Sequence, residues 1–556
     1  MNILISFTIC LGFIAFADGR QYIWPSEYDE IEDIFSLQSG YLGRNFSSGK
    51  HLCQEIERWN KQLTFFDSGV NPCSQGGNVK GRQNAAEWIR TAFHDVITHE
   101  ARSKTGGLDA SIFFETTRPE NNARAFNNTF NFFNYLTSTK TSAADLLAMS
   151  VVVSHSACGG QTRIPFRYGR LDAGEAGPIG VPEAHTSLDT TLSRFKAAGF
   201  NKEEMITLVA CGHTLGGVHS NDFPQIVPGS QNMYNDTVAP FDSSPHVFDN
   251  KIATDYVQGS TSNPLVIGNN STLNSDKRIF SSDRNKTIQA FARKASLFES
   301  RCAKLFEQMI DTVPRESRLS SPLESVDIKP YVVELSLNKD FDITFAGRVR
   351  VRTTEGARAG RDPTDLAVHL TYSDRRGKGN KRVETTYAGA SAGLYGETFA
   401  WYEFSTIVDQ TEGISNFKIH LAVPSRGKKT GFNNQGKGYP VDDSLLYQST
   451  ESCVARTSVG GYRAMTATVA VIKEKSTLPL TMELARIKKR PGTLMQTRTI
   501  ESIDFEATKE ERGGYIMFKA PVQLTTIGWN TDFDIKQSGK KASSITFLKT
   551  QVCSRV

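Results

Sequence analysis

Asn84–Ser111 reads NAAEWIRTAFHDVITHEARSKTGGLDAS, and its interpretation decides the fold. From Asn84 to Val96 there is neither Gly nor Pro, and Ala, Glu, Trp, Ile and Arg favour a helix. Arg90 and His94 then share one helical face, a turn apart. A base and a fixed cation above a common point can take a proton from a bound peroxide and steady the oxygen that departs, provided a metal lies below them. Such pairs are also frequent on solvated faces, and taken alone this one is more often a surface pair than a reactive one.

At 556 residues the chain is too long for one ordinary domain, and its 38% hydrophobic and 22% charged content is that of a folded protein. A net charge of +5 is small for this length and gives no case for nucleic acid. The charge is uneven: residues 321–556 carry 34 Lys+Arg against 26 Asp+Glu and are modestly basic, at +8. Asn2–Ala17 is nearly all apolar and Ala15-Phe16-Ala17 fits a small-x-small cleavage pattern, so a signal peptide over residues 1–17 and an exported protein are expected, although no Lys or Arg opens the segment. No later stretch approaches the length of a membrane span. Asn-x-Ser/Thr sequons beginning at Asn45, Asn127, Asn235, Asn269, Asn270 and Asn285 fit a secreted glycoprotein. If Cys10 leaves with the signal, Cys53, Cys73, Cys158, Cys211, Cys302, Cys453 and Cys553 remain, and the odd count implies one free thiol.

Tyr22–Ser48 is acidic and mixed, and reads as a pro-segment or a wrapping arm of low order within residues 18–70. A short helix is expected over His51–Gly69. Ser142–Ser156 reads as a strongly apolar helix capped by Ser142. Ile164–Glu183 is rich in Gly and Pro and reads as a long loop. Helices follow over Leu188–Gly199 and Glu203–Cys211, the second running into Gly212-His213-Thr214-Leu215-Gly216-Gly217. Asn221–Asn274 looks like loop, and Lys286–Val313 returns to helix with Phe291, Phe298, Cys302, Phe306 and Met309 at helical spacing. Beyond Pro314 short β-branched and aromatic runs, among them Tyr331–Leu337, Arg348–Thr353, Thr466–Ile472, Leu480–Leu484 and Tyr515–Phe518, alternate with polar turns. The expectation is a multidomain chain: a mainly α domain over residues 71–320, a Ser/Pro-rich link, and an all-β sandwich or barrel over residues 325–556.

The set Arg90-x-x-Phe93-His94-Asp95, Val209-Ala210-Cys211-Gly212-His213-Thr214 and Phe280-Ser281-Ser282-Asp283, in that order, resembles the non-animal haem peroxidase superfamily, closest to its secreted fungal members. The resemblance covers about Cys73 to Met309. It implies haem b as cofactor, His94 as acid/base, Arg90 as charge stabiliser, Phe93 as the aromatic over the haem, and His213 as the axial iron ligand. Asp283 is the implied partner of the other His213 nitrogen. Asn121, with Asn122 as the alternative, is implied to orient the His94 ring.

Two Ca2+ sites are implied as well. The first takes side chains of Asp95, Asp109 and Ser111 with carbonyls of Asp95 and Gly107, and a further carbonyl near Thr105; the second takes Thr214, Asp242, Ser244, the Val247 carbonyl and Asp249. Hard oxygen donors of mixed kind suit calcium.

Departures from the family narrow the substrate. The three acidic positions that bind manganese in some members align with Gln83, Glu87 and His219, of which one is acidic. The surface tryptophan used by others aligns with Leu208. For the cysteines, Cys73–Cys158 resembles a family disulfide; Cys53–Cys302 and Cys453–Cys553 are further pairings that leave Cys211 free. The expected function is a secreted enzyme that reduces hydrogen peroxide and oxidises small phenolic or other one-electron donors, with possible polymer binding through the C-terminal domain. The competing expectation is a vestigial peroxidase serving as a cell-wall or surface-binding structural protein.

Overall fold

The computed structural model describes residues 22–41, 72–73, 82–134, 136–230, 236–354, 361–540 and 542–553. The expected signal peptide, the helix over His51–Gly69 and Cys53 lie outside these residues.

The acidic arm is ordered over residues 22–41. Asp29–Ser36 forms helix α1, with Glu30 to Ser36 all buried. It is followed by strand β1 (Ser39–Gly40), which pairs with the edge of a distant sheet. The arm's composition suggested low order because its carboxylates were counted as solvated. In the fold Glu32 and Asp33 meet Lys329 and Arg350, while Ile31, Ile34 and Phe35 join the main helical core. Burying paired charges and an apolar stripe together turns an acidic segment into an interdomain helix.

Helix α2 (Asn84–Val96) is the quoted stretch. Its Ala85, Trp88, Ile89, Ala92 and Val96 are buried at helical spacing, and Trp88 is 1% exposed. Truncating that indole to Ala would cost about 3–5 kcal/mol. Around it stand α3 (Arg124–Phe133) and α4 (Ala143–Ala157), the latter apolar on all sides and capped by Ser142 Oγ, which accepts from Asp145 N at 3.0 Å. After the long loop come α5 (Leu188–Ala198), closed by Gly199 at φ +96°, and α6 (Lys202–Gly212), opened by a capping box between Asn201 and Glu204. Strands β2 (Gly217–His219) and β3 (Val238–Pro240) form a small antiparallel pair.

Within the segment expected as loop, Lys251–Gln258 forms α7, which buries Ile252, Ala253 and Asp255. Its apolar stripe is too short to stand out in the sequence. Then follow α8 (Pro264–Ile267), α9 (Ser275–Ser281), α10 (Lys286–Arg293) and α11 (Ala295–Ile310). The single helix expected over Lys286–Val313 breaks at Lys294, whose backbone is extended.

From Ile328 onward, among the described residues, the regular structure is antiparallel sheet with short 3-10 turns. Strands β4 (Ile328–Leu337), β5 (Ile343–Arg352), β6 (Ala367–Ser373), β7 (Lys381–Glu384), β8 (Thr386–Ala392), β9 (Thr398–Val408), β10 (Asn416–Val423), β11 (Lys428–Phe432) and β12 (Tyr439–Pro440) make two sheets. One runs β1-β8-β9-β5-β4 and the other β11-β10-β6-β7, with β12 on β10. Phe345, Val349, Leu370, Phe404, Phe417 and Ile419 fill the space between them.

A second pair of sheets is built from β13 (Leu445–Tyr447), β14 (Tyr462–Ile472), β15 (Leu480–Lys489), β16 (Gln496–Asp504), β17 (Glu506–Arg512), β18 (Tyr515–Thr525), β19 (Asp532–Gln537) and β20 (Ser544–Lys549). Their orders are β13-β14-β18-β17 and β16-β15-β19-β20, around Val469, Val471, Met482, Leu484, Val522 and Ile535. The β-rich region is thus two stacked sandwiches, the second pinned by Cys453–Cys553.

The disulfides differ from expectation at one point. Cys73–Cys158 and Cys453–Cys553 form, but Cys211 is bonded to Cys302. Cys211 is therefore no free thiol: α6 and α11 pack side by side and bring the two Cα atoms to 5.5 Å.

Candidate active site

A cavity of about 500 Å³ lies between α2 and α6. Arg90, Phe93 and His94 line it from α2, and Val209, Gly212 and His213 line it from the end of α6. The helix turn puts Arg90 Nε 3.4 Å from His94 Nε2, so cation and base share one wall. Arg90 lies over the rings of Phe126, at 5.4 Å, and Phe223, at 5.0 Å. Phe93 packs on Phe195 with centroids 5.7 Å apart.

His94 Nδ1 is held at 2.8 Å from Asn121 Oδ1. Asn121 in turn donates from Nδ2 to the Glu115 carbonyl at 3.3 Å and to Glu115 Oε2 at 3.4 Å. It is Asn121, not Asn122, that meets the ring. With Asn121 Oδ1 as acceptor, Nδ1 carries the proton, and Nε2 is left unprotonated on the cavity wall, where it accepts from Arg90 Nε at 3.4 Å. Burial and the neighbouring Arg90 both disfavour a second proton, and hold the His94 pKa at about 3. Burial lowers Arg90 to about 10, so the guanidinium stays charged at neutral pH.

On the opposite wall, His213 caps α6 and stacks flat on Phe241, with centroids 4.2 Å apart and planes at 9°. Its Nδ1 lies 2.8 Å from Asp276 Oδ2. Asn263 Nδ2 donates to the same oxygen at 2.8 Å. Asp283, the partner expected from sequence, is elsewhere: its Oδ2 accepts from Thr287 N at 2.9 Å and from Thr287 Oγ1 at 2.6 Å. The two aspartates are seven residues apart, at opposite ends of α9, and only the N-terminal one points at the cavity. The missed signal was Ser275-Asp276-Lys277, a carboxylate at the first turn of a helix that follows a loop.

These groups fit an iron porphyrin in their chemistry. His213 Nε2 is left to the cavity as a lone-pair donor, with the buried Asp276 carboxylate behind Nδ1 to fix the ring. Both histidines line the same cavity.

Each of the two oxygen-rich loops adjoins one of the histidines in sequence. Asp95 follows His94 directly; its Oδ2 accepts from the amides of Asp109 and Ala110, and its Oδ1 from Ile112 N and Ser111 Oγ. Burial pushes both Asp95 and Asp109 up, and the neighbouring Asp109 carboxylate adds to the rise of Asp95. Gly107 sits at φ +110°, where a Cβ would come within 2.6 Å of the Thr312 carbonyl.

In the second loop Thr214 Oγ1 donates to the Asp249 carbonyl at 2.6 Å, and Ser244 Oγ bonds the Asp249 carboxylate. Asp242 Oδ2 is buried without a hydrogen-bond partner. Burial, Asp249 and Asp255 raise its pKa to about 7. Among the described residues no three His, Cys, Asp or Glu side chains converge as a metal cluster. Each loop instead offers two carboxylates with hydroxyls and carbonyls, a donor set of the kind calcium takes.

The three positions aligned with manganese ligands do not form a carboxylate cage. Arg82 occupies that corner, pairing with Glu87 at 3.1 Å and Asp222 at 2.7 Å. His219 bonds Asp236 at 2.8 Å, and Gln83 donates to the Cys73 carbonyl at 2.6 Å. A fixed guanidinium takes the place of a free cation. Leu208 is buried rather than exposed.

A peroxidase family model matches residues 75–295, the segment that carries both histidines. Residues 75–295 belong to the peroxidase family. An L-ascorbate peroxidase from Arabidopsis thaliana is 27% identical over 222 residues, covering 38% of this chain and 75% of that protein. Versatile peroxidase VPS1 from Pleurotus eryngii is 28% identical over 253 residues, covering 44% of this chain and 63% of its own. A WSC domain-containing protein from Arthroderma benhamiae is 38% identical over 414 residues, and this match extends well beyond the peroxidase domain to 72% of the chain. The chain spans about half the length of that relative, 52%.

Proposed function

We propose that the chain is a haem-dependent peroxidase, exported from the cell, that reduces hydrogen peroxide and oxidises small phenolic or other one-electron donors. The observation that carries this reading is the opposition, across one cavity, of His94 backed by Asn121 and His213 backed by Asp276. His213 would hold the iron of haem b through Nε2. When bound, the haem supplies the two-electron reduction of peroxide and the one-electron oxidations that follow.

His94 Nε2 would take a proton from one peroxide oxygen and return it to the other, the outer oxygen, which leaves as water. Arg90 stabilises the negative charge that develops on that outer oxygen. Asn121 keeps Nε2 unprotonated and aimed at the cavity. Arg82, paired with Glu87 and Asp222, sets a fixed positive charge at that corner, which disfavours a metal cation and favours an organic donor at the cavity mouth.

Calcium in the two loops would brace both histidines: Asp95 adjoins His94, and Thr214 adjoins His213. Three disulfides, the apolar N-terminus and the sequons support export and glycosylation.

Reconstitution with haem followed by absorption spectroscopy tests the reading. The native protein should show a Soret band and consume peroxide; His94→Ala should keep the band and lose peroxide cleavage by about 10²–10⁴-fold. Failure of the native protein to take up haem ends the proposal.

A further inference from the structure

His155, in the last turn of α4, is fully buried, yet it has no part in the chemistry above. Its Nε2 lies 3.2 Å from Glu299 Oε1, off the in-line direction of a full hydrogen bond, and its Nδ1 lies 3.3 Å from the hydroxyl of Tyr395. Tyr395 comes from the first β-sandwich, in the turn between β8 and β9, and reaches into the helical domain. Its backbone is left-handed, at φ 50° and ψ 38°, a conformation of limited stability for a residue with a side chain. Ser156 Oγ accepts from Tyr395 N at 2.9 Å, and Ile164 N donates to the phenol oxygen at 3.2 Å. With the amide as donor to the phenol oxygen, the phenol O–H is free to donate to His155 Nδ1 when that ring carries its proton on Nε2. Gly160 is required beside this ring, because a Cβ there would fall 2.3 Å from it.

Glu299 is an ionised acceptor. Burial pushes it up, but His155 and the amides of Thr162 and Gln161 outweigh that and hold it below its ordinary range. A tyrosine, an imidazole and a carboxylate thus stand in a row. The row abuts the reactive cavity: Phe306, which lines the cavity, meets the His155 ring edge-on at 6.4 Å, and His155 meets Tyr395 at 6.2 Å. A tyrosine that merely docks two domains needs its ring, not a hydroxyl aimed at a buried base.

We infer that Tyr395 is a second oxidation site, which gives up one electron toward the haem cavity and its phenolic proton to His155. This rests on the peroxidase reading, since the one-electron oxidant is the oxidising equivalent that peroxide leaves at the haem. The balance is closed. Tyr395 loses an electron to that oxidant, its O–H proton moves to His155 Nδ1, and the Nε2 proton shifts toward Glu299. A donor at the partly exposed Tyr395 then returns one electron, and the protons move back, regenerating the phenol. The phenol's burial makes proton loss alone unfavourable, so electron and proton must leave together. The structure thereby offers reductants too bulky for the cavity a place to react at the domain junction.

The test uses the full, haem-reconstituted chain treated with hydrogen peroxide, freeze-quenched for electron paramagnetic resonance and, in parallel, trapped with a nitroso spin trap and mapped by peptide mass spectrometry. A tyrosyl signal and an adduct on the Tyr395 peptide, both lost in Tyr395→Phe and formed more slowly in Glu299→Gln, are expected. Tyr395→Phe keeps the ring packing, so loss of signal reports the hydroxyl. If peroxide is consumed but the adduct falls on other residues or the signal survives in Tyr395→Phe, the inference is overturned and the peroxidase reading stands. If peroxide is not consumed at all, the peroxidase reading fails and this inference with it.

Discussion

His213 and Asp276 are joined at 2.8 Å between Nδ1 and Oδ2, across the segment with β2, β3, α7 and α8 that separates α6 from α9. Asn263 shares the acceptor oxygen and fixes the carboxylate. A ligand imidazole backed in this way is more basic and cannot rotate. Asp276→Asn is expected to retain haem but to lower peroxide turnover by about 10–100-fold and to raise the iron reduction potential. Asp283→Asn weakens only the two bonds from Thr287, and should leave both quantities unchanged at a stability cost of about 1 kcal/mol. Potentiometric titration of the two variants separates them; an effect of Asp283→Asn as large as that of Asp276→Asn would reverse the assignment.

The Asn121 contact makes a second, graded expectation. Asn121→Ala leaves His94 in place without its acceptor, so the ring can take the other tautomer. Peroxide reduction should fall, but by less than in His94→Ala, and His94→Ala combined with Asn121→Ala should be no worse than His94→Ala alone. Stopped-flow rates at several peroxide concentrations measure the three. Additive losses would mean that Asn121 acts independently of His94.

Asp242 carries a buried, unpartnered oxygen beside Asp249. A bound divalent cation relieves that, and a ligand at 100 times its dissociation constant stabilises by about 2.7 kcal/mol. Chelator should therefore lower the melting temperature, with Ca2+ restoring it and Mg2+ doing so poorly, since Mg2+ tolerates mixed and distorted oxygen sets less well. In Asp242→Asn the chelator effect should shrink, because one of the two loops no longer responds. Equal melting temperatures with chelator and with Ca2+ in the native protein would remove calcium from the account.

The Cys211–Cys302 bond joins residues 91 apart in sequence, two positions before His213. Replacing both by Ala should cost about 2–5 kcal/mol. The denatured but unreduced protein should show no thiol at Cys211. Labelling of Cys211 by a thiol reagent under those conditions would restore the free-thiol arrangement.

The parts of the site that sequence made legible are those set by one helix or one turn. Arg90 and His94 are a turn apart on α2, so no tertiary information was needed to pair them, and Asn121 follows closely in chain order. Asp276 was not legible in the same way. Two Ser-Asp pairs stand seven residues apart in Asn274–Asp283, and which of them meets His213 depends on where α9 enters the cavity wall, which only packing decides. Cys211 was misassigned for the same reason, since a pairing across 91 residues follows from how α6 lies on α11. The β region was read as sheet because Thr466–Ile472 and Leu480–Leu484 are β-branched and apolar. Strand pattern does not encode which strand neighbours which, so two sandwiches could not be told from one. The arm was misread because Glu32 and Asp33 count as polar until Lys329 and Arg350 arrive from β4 and β5.

That last cluster gives the final expectation. Arg350 is fully buried, bonded to Glu32 and, at 2.9 Å, to Asp33; Lys329 lies 2.9 Å from Glu32 and 3.0 Å from Asp33. Burial pushes Glu32 up, but Arg350 and Lys329 outweigh it and hold its pKa at about 2, against 4.5 for an ordinary glutamate. Within the pair Glu32 keeps the negative charge, while burial and Glu32 push Asp33 up. A folded-state pKa below the unfolded value means that the Glu32 contribution is complete above pH 4.5 and is lost as pH falls toward 2. Arg350→Met leaves the carboxylates without their main partner and should destabilise by about 3–5 kcal/mol at neutral pH. Acidification should then narrow the gap, because protonating Glu32 relieves the variant while it harms the native protein. Urea unfolding of both proteins between pH 7 and pH 3 measures that gap, and a gap that stays constant or widens toward acid would show that Arg350 does not act through Glu32.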